Sequence, residues 1–179
     1  MPRRPFKLSA AELDWQEGAK TKFKGGLSVN GGPDLVLDVA WQPDQLDIHK
    51  LKFKDQYSDA ELSLDYGTSE TALSFSGALQ HETLNALFLE QDFGEGRVEG
   101  DFSVKQHATK QARVLATGQL EGSNLAFTLP SGNQVAIAQA ALAADGDQVD
   151  IDLSTLSWRD LTMDPVKATL DFSGDKPRV

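Results

Sequence analysis

Cysteine is absent from the 179 residues, which excludes disulfides, thiolate metal sites and thiol nucleophiles. Its absence leaves the compartment open, because cysteine-free chains occur in the cytosol and in the bacterial periplasm alike. Cations are scarce: 17 Lys and Arg against 27 Asp and Glu give a net charge of −10 and a pI near 4.7. Apart from Arg3, Arg4 and the row Lys20, Lys22 and Lys24, the basic residues are scattered. A field of that sign repels phosphate backbones, so nucleic acid is not an expected partner and an anionic membrane surface is an unpromising dock. No run of about 20 apolar residues occurs, as a bilayer-spanning helix would need, and Met1–Pro5 is followed by no apolar core of a signal peptide.

Signatures of chemistry are missing as well. There is no GxSxG elbow, no GxxxxGK[ST] phosphate cradle, and no GxGxxG opening a helix after a strand. His49, His81 and His107 form no spacing that sets two metal ligands on one face of an element. Asp145 and Asp147 flank Gly146 as in a tight turn, without the remaining ligands of a calcium loop. The other carboxylates alternate onto polar strand faces, where water keeps them ionised, so no general acid–base pair is nominated. The expectation is a non-enzymatic protein with no cofactor and no metal.

What is present is period two. Leu35, Leu37, Val39 and Trp41 alternate with polar or small residues, and so do Ala60, Leu62, Leu64 and Tyr66. The same holds for Val98, Gly100, Phe102 and Val104, for Val114, Ala116, Gly118 and Leu120, for Val149, Ile151 and Leu153, and for Val166, Ala168, Leu170 and Phe172. Turn chemistry separates the runs at Asn30–Pro33, Gln42–Asp44, Asp65–Thr68, Pro130–Asn133 and Asp145–Asp147. This spacing predicts about twelve strands in a meandering antiparallel sheet, forming one β-rich domain over residues 1–179.

Two segments carry helical signals. His81–Glu90 places Leu84, Leu87 and Phe88 at helical spacing. Ser9 to Gln16 has capping-box form, with Ser9 three residues before Glu12. The alanine-rich Val135–Leu142 is ambiguous but reads as a strand after the Gly132–Asn133 turn. Gly25–Gly26 inside an alternating run predicts a bulge or bend. Trp15, Trp41 and Trp158 are expected in core or strand-end packing. A unit Gly-x-Leu recurs at Gly77–Leu79 and Gly118–Leu120, as in a sheet lengthened by adding hairpins.

From the residues alone, an alternating apolar face has two uses. It fills the core of an ordinary two-sheet sandwich, or it lines the trough of a single curved sheet that needs a helix, partner or lipid to fill it. The sandwich reading would make the chain a structural or adhesive module binding protein or glycan partners.

The stretch Ala116–Phe127, containing Gly118–Gln119–Leu120–Glu121–Gly122, is followed by Leu129–Gly132, Val135–Ile137, Ala141–Gly146, Val149–Leu153 and Leu170–Gly174. In that order it resembles the C-terminal β-repeat region of the AsmA-like family. Leu73–Leu79, a helical corner, then Gly96–Phe102 is similar to the strand–corner–strand unit of the same family. Between them these stretches span roughly half to two-thirds of the chain. The resemblance implies an all-β, long, curved antiparallel meander sheet with an open apolar groove and one or two short helices. It also implies a periplasmic setting in Gram-negative bacteria, an inner-membrane anchor in the full-length protein, and a role in outer-membrane biogenesis and phospholipid transport. On that reading the chain is an excised segment of a longer protein. Its partners would be phospholipid or another acyl-chain lipid, together with envelope proteins. The expected groove residues are Leu35, Leu37, Val39, Leu62, Leu64, Leu73, Phe75, Val98, Phe102, Val114, Leu125, Phe127, Ile151 and Leu170.

Overall fold

A computed structural model describes residues 6–14, 20–87, 94–107, 113–128, 134–158, 161–163 and 165–174. The chain is an antiparallel meander. Its first six strands are β1 (Phe6–Asp14), β2 (Thr21–Val29), β3 (Asp34–Gln42), β4 (Gln45–Lys54), β5 (Asp59–Tyr66) and β6 (Glu70–Gln80). A short helix, α1 (His81–Leu87), leads to the long strands β7 (Gly94–His107), β8 (Arg113–Thr128) and β9 (Gln134–Gly146). The sheet ends with β10 (Gln148–Leu153), β11 (Leu156–Trp158), β12 (Leu161–Met163) and β13 (Val166–Asp171). Strands β1 to β10 pair in chain order and β13 adds to β10, while β11 pairs with β9 and β12. The sheet is open and does not close into a barrel. The thirteenth strand beyond the expected twelve comes from β11 and β12, three residues each, too short to show an alternation.

Each strand makes its substantial contacts with its ladder neighbours, and α1 touches β6 and β7. All the described strands belong to one sheet, so no second sheet forms among the described residues to make a two-sheet sandwich. The burial pattern says the same. Among the described residues the buried apolar side chains besides Pro33 are Leu35, Val149, Ala40, Ala60, Ala116 and Ala140, and the largest fully buried side chains are Thr83 and Pro33. The accessible surface, 11981 Å², exceeds by about 40% the roughly 8,500 Å² expected of a globular 19.4 kDa chain. The molecule keeps its apolar side chains on a face, not in a closed core.

Glycines with positive φ cluster in the middle of the sheet. Gly77 (φ +101°) and Gly100 (φ +142°) are direct partners on β6 and β7, and Gly118 (φ +101°) lies on β8 beside Phe102. Residues with a side chain rarely adopt these angles, and a Cβ at each would strike a neighbouring backbone carbonyl oxygen: that of Asp59, Gln119 and Asp101 respectively. Glycine kinks of this kind are a physical source of sheet curvature.

The expected helix at Ser9–Gln16 is a strand up to Asp14; Trp15 and Gln16 lie outside the described residues. Its local capping pattern is overridden by the ladder to β2. A bulge between Ser9 and Glu12 sets Leu8 and Leu13 an odd number of residues apart, which breaks the alternation a reader would look for. Helix α1 forms where expected, over His81–Leu87, and Phe88–Glu90 lie outside the described residues. The ambiguous Val135–Leu142 is strand throughout. The Pro130–Asn133 turn lies outside the described residues.

Candidate functional site: an uncovered apolar face

Residues paired directly across a ladder share a face, so the registers trace the groove residues from strand to strand. One row runs Leu37, Leu51, Leu62, Phe75, Phe102, Gly118, Ala144, Val149 and Leu170. The row beside it runs Leu35, Phe53, Ala60, Gly77, Gly100, Leu120, Leu142, Ile151 and Ala168. On the other side come Phe23, Val39, Ile48, Leu64, Leu73, Val104 and Ala116. Val98 pairs with Leu79, in phase with these rows, and Val114 closes a fourth row through Gln106. Twelve of the fourteen expected groove residues therefore share one face.

Leu125 does not continue it in phase. Leu125 pairs with Ile137, which pairs with Leu156, a row whose members lie an odd number of residues from Leu120, Leu142 and Leu153. The β8–β9 ladder carries no extra residue there, so the row is out of phase with the apolar face, and Asn124 (φ +50°) marks the change. Phe127 pairs with Val135; its side chain lies outside the described residues.

On β4 a bulge does the reverse. Leu46 and Ile48 are out of phase with Leu51 and Phe53 in sequence, but one extra residue against both neighbouring strands restores all four to the apolar face. His49 sits at that bulge. Leu46, Leu51 and Phe53 were missed in the sequence for this reason, and Leu120 and Leu142 are further face residues that plain alternation would have supplied.

Most of these side chains are half-buried, and Leu73, in the middle of the face, is 38% exposed. With no second sheet among the described residues, they shield one another sideways. Eleven strands on one path make the face about 50 Å long, and three to four rows make it about 15 Å wide. That exceeds the few hundred Å² that monomers ordinarily leave exposed.

The opposite face is wet. Lys50 pairs with Glu61 at 2.9 Å, Lys52 with Asp59 at 3.0 Å and Lys167 with Asp152 at 2.6 Å, and Ser63 meets Ser74 at 2.6 Å. Asp59 is held below the ordinary carboxylate value by the hydrogen bond from Lys52, and Asp152 raises Lys167 in the same way. Exposed pairs of this kind add little stability; they keep this face in water and mark its register. A shallow cleft of about 500 Å³ on this side is lined by Glu121, Asp150, Asp152 and Lys167 together with Ala141 and Ala143.

Two polar clusters fix the ends of the strands. At the first, Thr83 is fully buried and donates to Asp55 Oδ2 at 2.8 Å. Ser58 Oγ accepts from the Gln80 amide at 2.9 Å and meets Thr83 Oγ1 at 2.6 Å, and Asp55 Oδ1 accepts the amides of Tyr57 and Ser58. This ties α1 to the β4–β5 turn, and Ala86 reaches the β2–β3 turn at Gly32. The helix thus lies across the strand ends on that side. Thr83→Val keeps the shape but strands Ser58 and Asp55; a loss of about 1–3 kcal/mol is expected, read by chemical denaturation.

At the other end Asp47, 4% exposed, is ion-paired with Lys20 and accepts from Gln45 Nε2 at 2.9 Å. The Lys20 bond, ahead of the opposing effect of burial, holds its carboxyl below the ordinary value. A depressed folded pKa stabilises fully above the unfolded value near 3.9 and is lost as pH falls through the folded one. Asp47→Asn should therefore cost about 2 kcal/mol near neutral pH, and the gap to wild type should close below about pH 4. Denaturation midpoints across an acid series check this.

Trp41 and Trp158 are 41% and 43% exposed, so they are strand-end residues and not core; Trp15 lies outside the described residues. Among the described residues no cluster of three or more His, Asp or Glu is placed to hold a metal, and no helix is long and apolar enough to cross a membrane. Compared with protein families, characterised proteins and solved structures, the chain matches none of them.

Proposed function

We propose that this chain is a non-enzymatic, AsmA-like segment that carries phospholipid along its apolar sheet face, in the periplasm of a Gram-negative bacterium and as part of outer-membrane biogenesis. One observation carries the reading: a continuous apolar face crosses the sheet from β2 to β13, and the described strands all belong to that one sheet, with no second sheet among them to cover it. Acyl chains laid there leave water at about 0.8 kcal/mol per CH₂ buried, without any specific polar contact. The polar reverse side keeps the segment wet. A face that stays apolar from strand to strand over about 50 Å suits passage along it. The inner-membrane anchor and the envelope partners belong to the full-length protein on this reading. The test is native mass spectrometry of protein extracted without detergent. Bound phospholipid is expected; protein that emerges bare and fails to take up added phospholipid would refute the reading.

A further inference from the structure

The two long margins of the apolar face differ. One is crossed by α1, locked down through Thr83, Ser58 and Asp55. The other, at the β3–β4 and β5–β6 turns, is aromatic: Trp41 and Tyr66 stand 41% and 56% exposed on either side of Leu46, in one row of the apolar face. They flank a cleft of about 470 Å³ that Gln42, Asp44 and Gln45 also line. Among the described residues no Lys or Arg lines it, and the chain carries a net charge of −10. A side chain with an apolar body and a polar tip settles where greasy and wet surroundings meet, which is where a lipid's head joins its tails. The faces of Trp and Tyr attract a cation, and Asp44 adds a carboxylate, whereas a purely anionic head group would find no counter-charge among the described lining residues, the nearby Lys20 being paired with Asp47.

Building on the lipid-carrying reading, we propose that lipid head groups emerge at the Trp41–Tyr66 margin and that the cleft favours phospholipids whose head group bears an ammonium. The acyl tails lie inward, against Val39, Ile48 and Leu64, and the α1 margin is the closed side. The rim thereby selects among lipids that the apolar floor treats alike.

The experiment compares binding of phosphatidylcholine and phosphatidylglycerol with identical acyl chains, presented as vesicles, to the full chain and to two variants. Wild type should prefer phosphatidylcholine by about fivefold or more. Trp41→Ala/Tyr66→Ala should still bind both lipids but lose the preference. Asp44→Asn should reduce it without touching apolar surface, and it carries the test should the double variant fold poorly by circular dichroism. Equal binding of the two lipids by wild type, or a preference that survives in both variants, overturns the inference while leaving lipid carriage standing. Failure of wild type to bind either lipid removes the lipid reading and this inference with it.

Discussion

Phe75→Glu should strip the protein of lipid while leaving it folded. Phe75 lies between Leu62 and Phe102 as direct cross-strand partners, in the apolar row that runs from Leu37 to Leu170. It is half-buried among its neighbours in the sheet. A carboxylate there can reach water, so the stability lost is chiefly the half-buried ring, about 2 kcal/mol, or a fall of about 4–8 °C in Tm for a chain of this size. A guest chain laid along the same row would have to desolvate the new charge, which is far more costly. Lipid retained after purification should drop by about tenfold or more. Were Phe75 in a closed core, the same change would cost several kcal/mol and the protein would unfold instead. Lipid mass analysis and a thermal melt on one sample separate the two outcomes.

Gly100→Ala should produce the opposite combination, a large loss of stability from one added methyl group. The backbone at Gly100 has φ +142°, and a Cβ there would collide with the carbonyl oxygen of Gln119 on β8. Strain of this sort costs about 1–3 kcal/mol by itself, and the collision forces apart the β7–β8 ladder, so a total of about 3 kcal/mol or more is expected. Gly67→Ala is the control. Its φ is not positive, and the added carbon would meet the nearest atom at an ordinary 3.6 Å, so it should cost less than about 1 kcal/mol. Parallel denaturation curves of the two variants check the contrast.

The sheet was legible wherever a strand kept strict alternation. Leu35–Trp41, Ala60–Tyr66 and Val98–Val104 could be read residue by residue, because every second side chain on a strand meets the same surroundings. Reading failed at bulges. One extra residue in β4 scrambles the phase of Leu46, Ile48, Leu51 and Phe53, although the folded strand puts all four on one face. The bulge in β1 let the Ser9–Glu12 pair pass for a helix cap. Around Asn124 the pattern changes phase on β8, β9 and β11 together, so Leu125 was counted with a face from which it is out of phase. No single strand contains the information needed to detect that.

The choice between a packed sandwich and an open trough was likewise beyond alternation, since both require the same period. It is decided by contacts between distant strands, and here the substantial contacts stay between near neighbours along the meander. The polar lock of Asp55, Ser58 and Thr83 was also invisible in advance. Nothing in a serine or threonine of the sequence says that a turn and a helix 25 residues apart will bury them together.

The most direct measurement is a photo-crosslinking scan along β5, one residue at a time from Asp59 to Tyr66, with lipid present. The account predicts lipid adducts at Leu62 and Leu64 and none at Glu61, Ser63 and Asp65, the period of the strand itself. Adducts spread evenly over both faces, or none at Leu62 and Leu64, would contradict it.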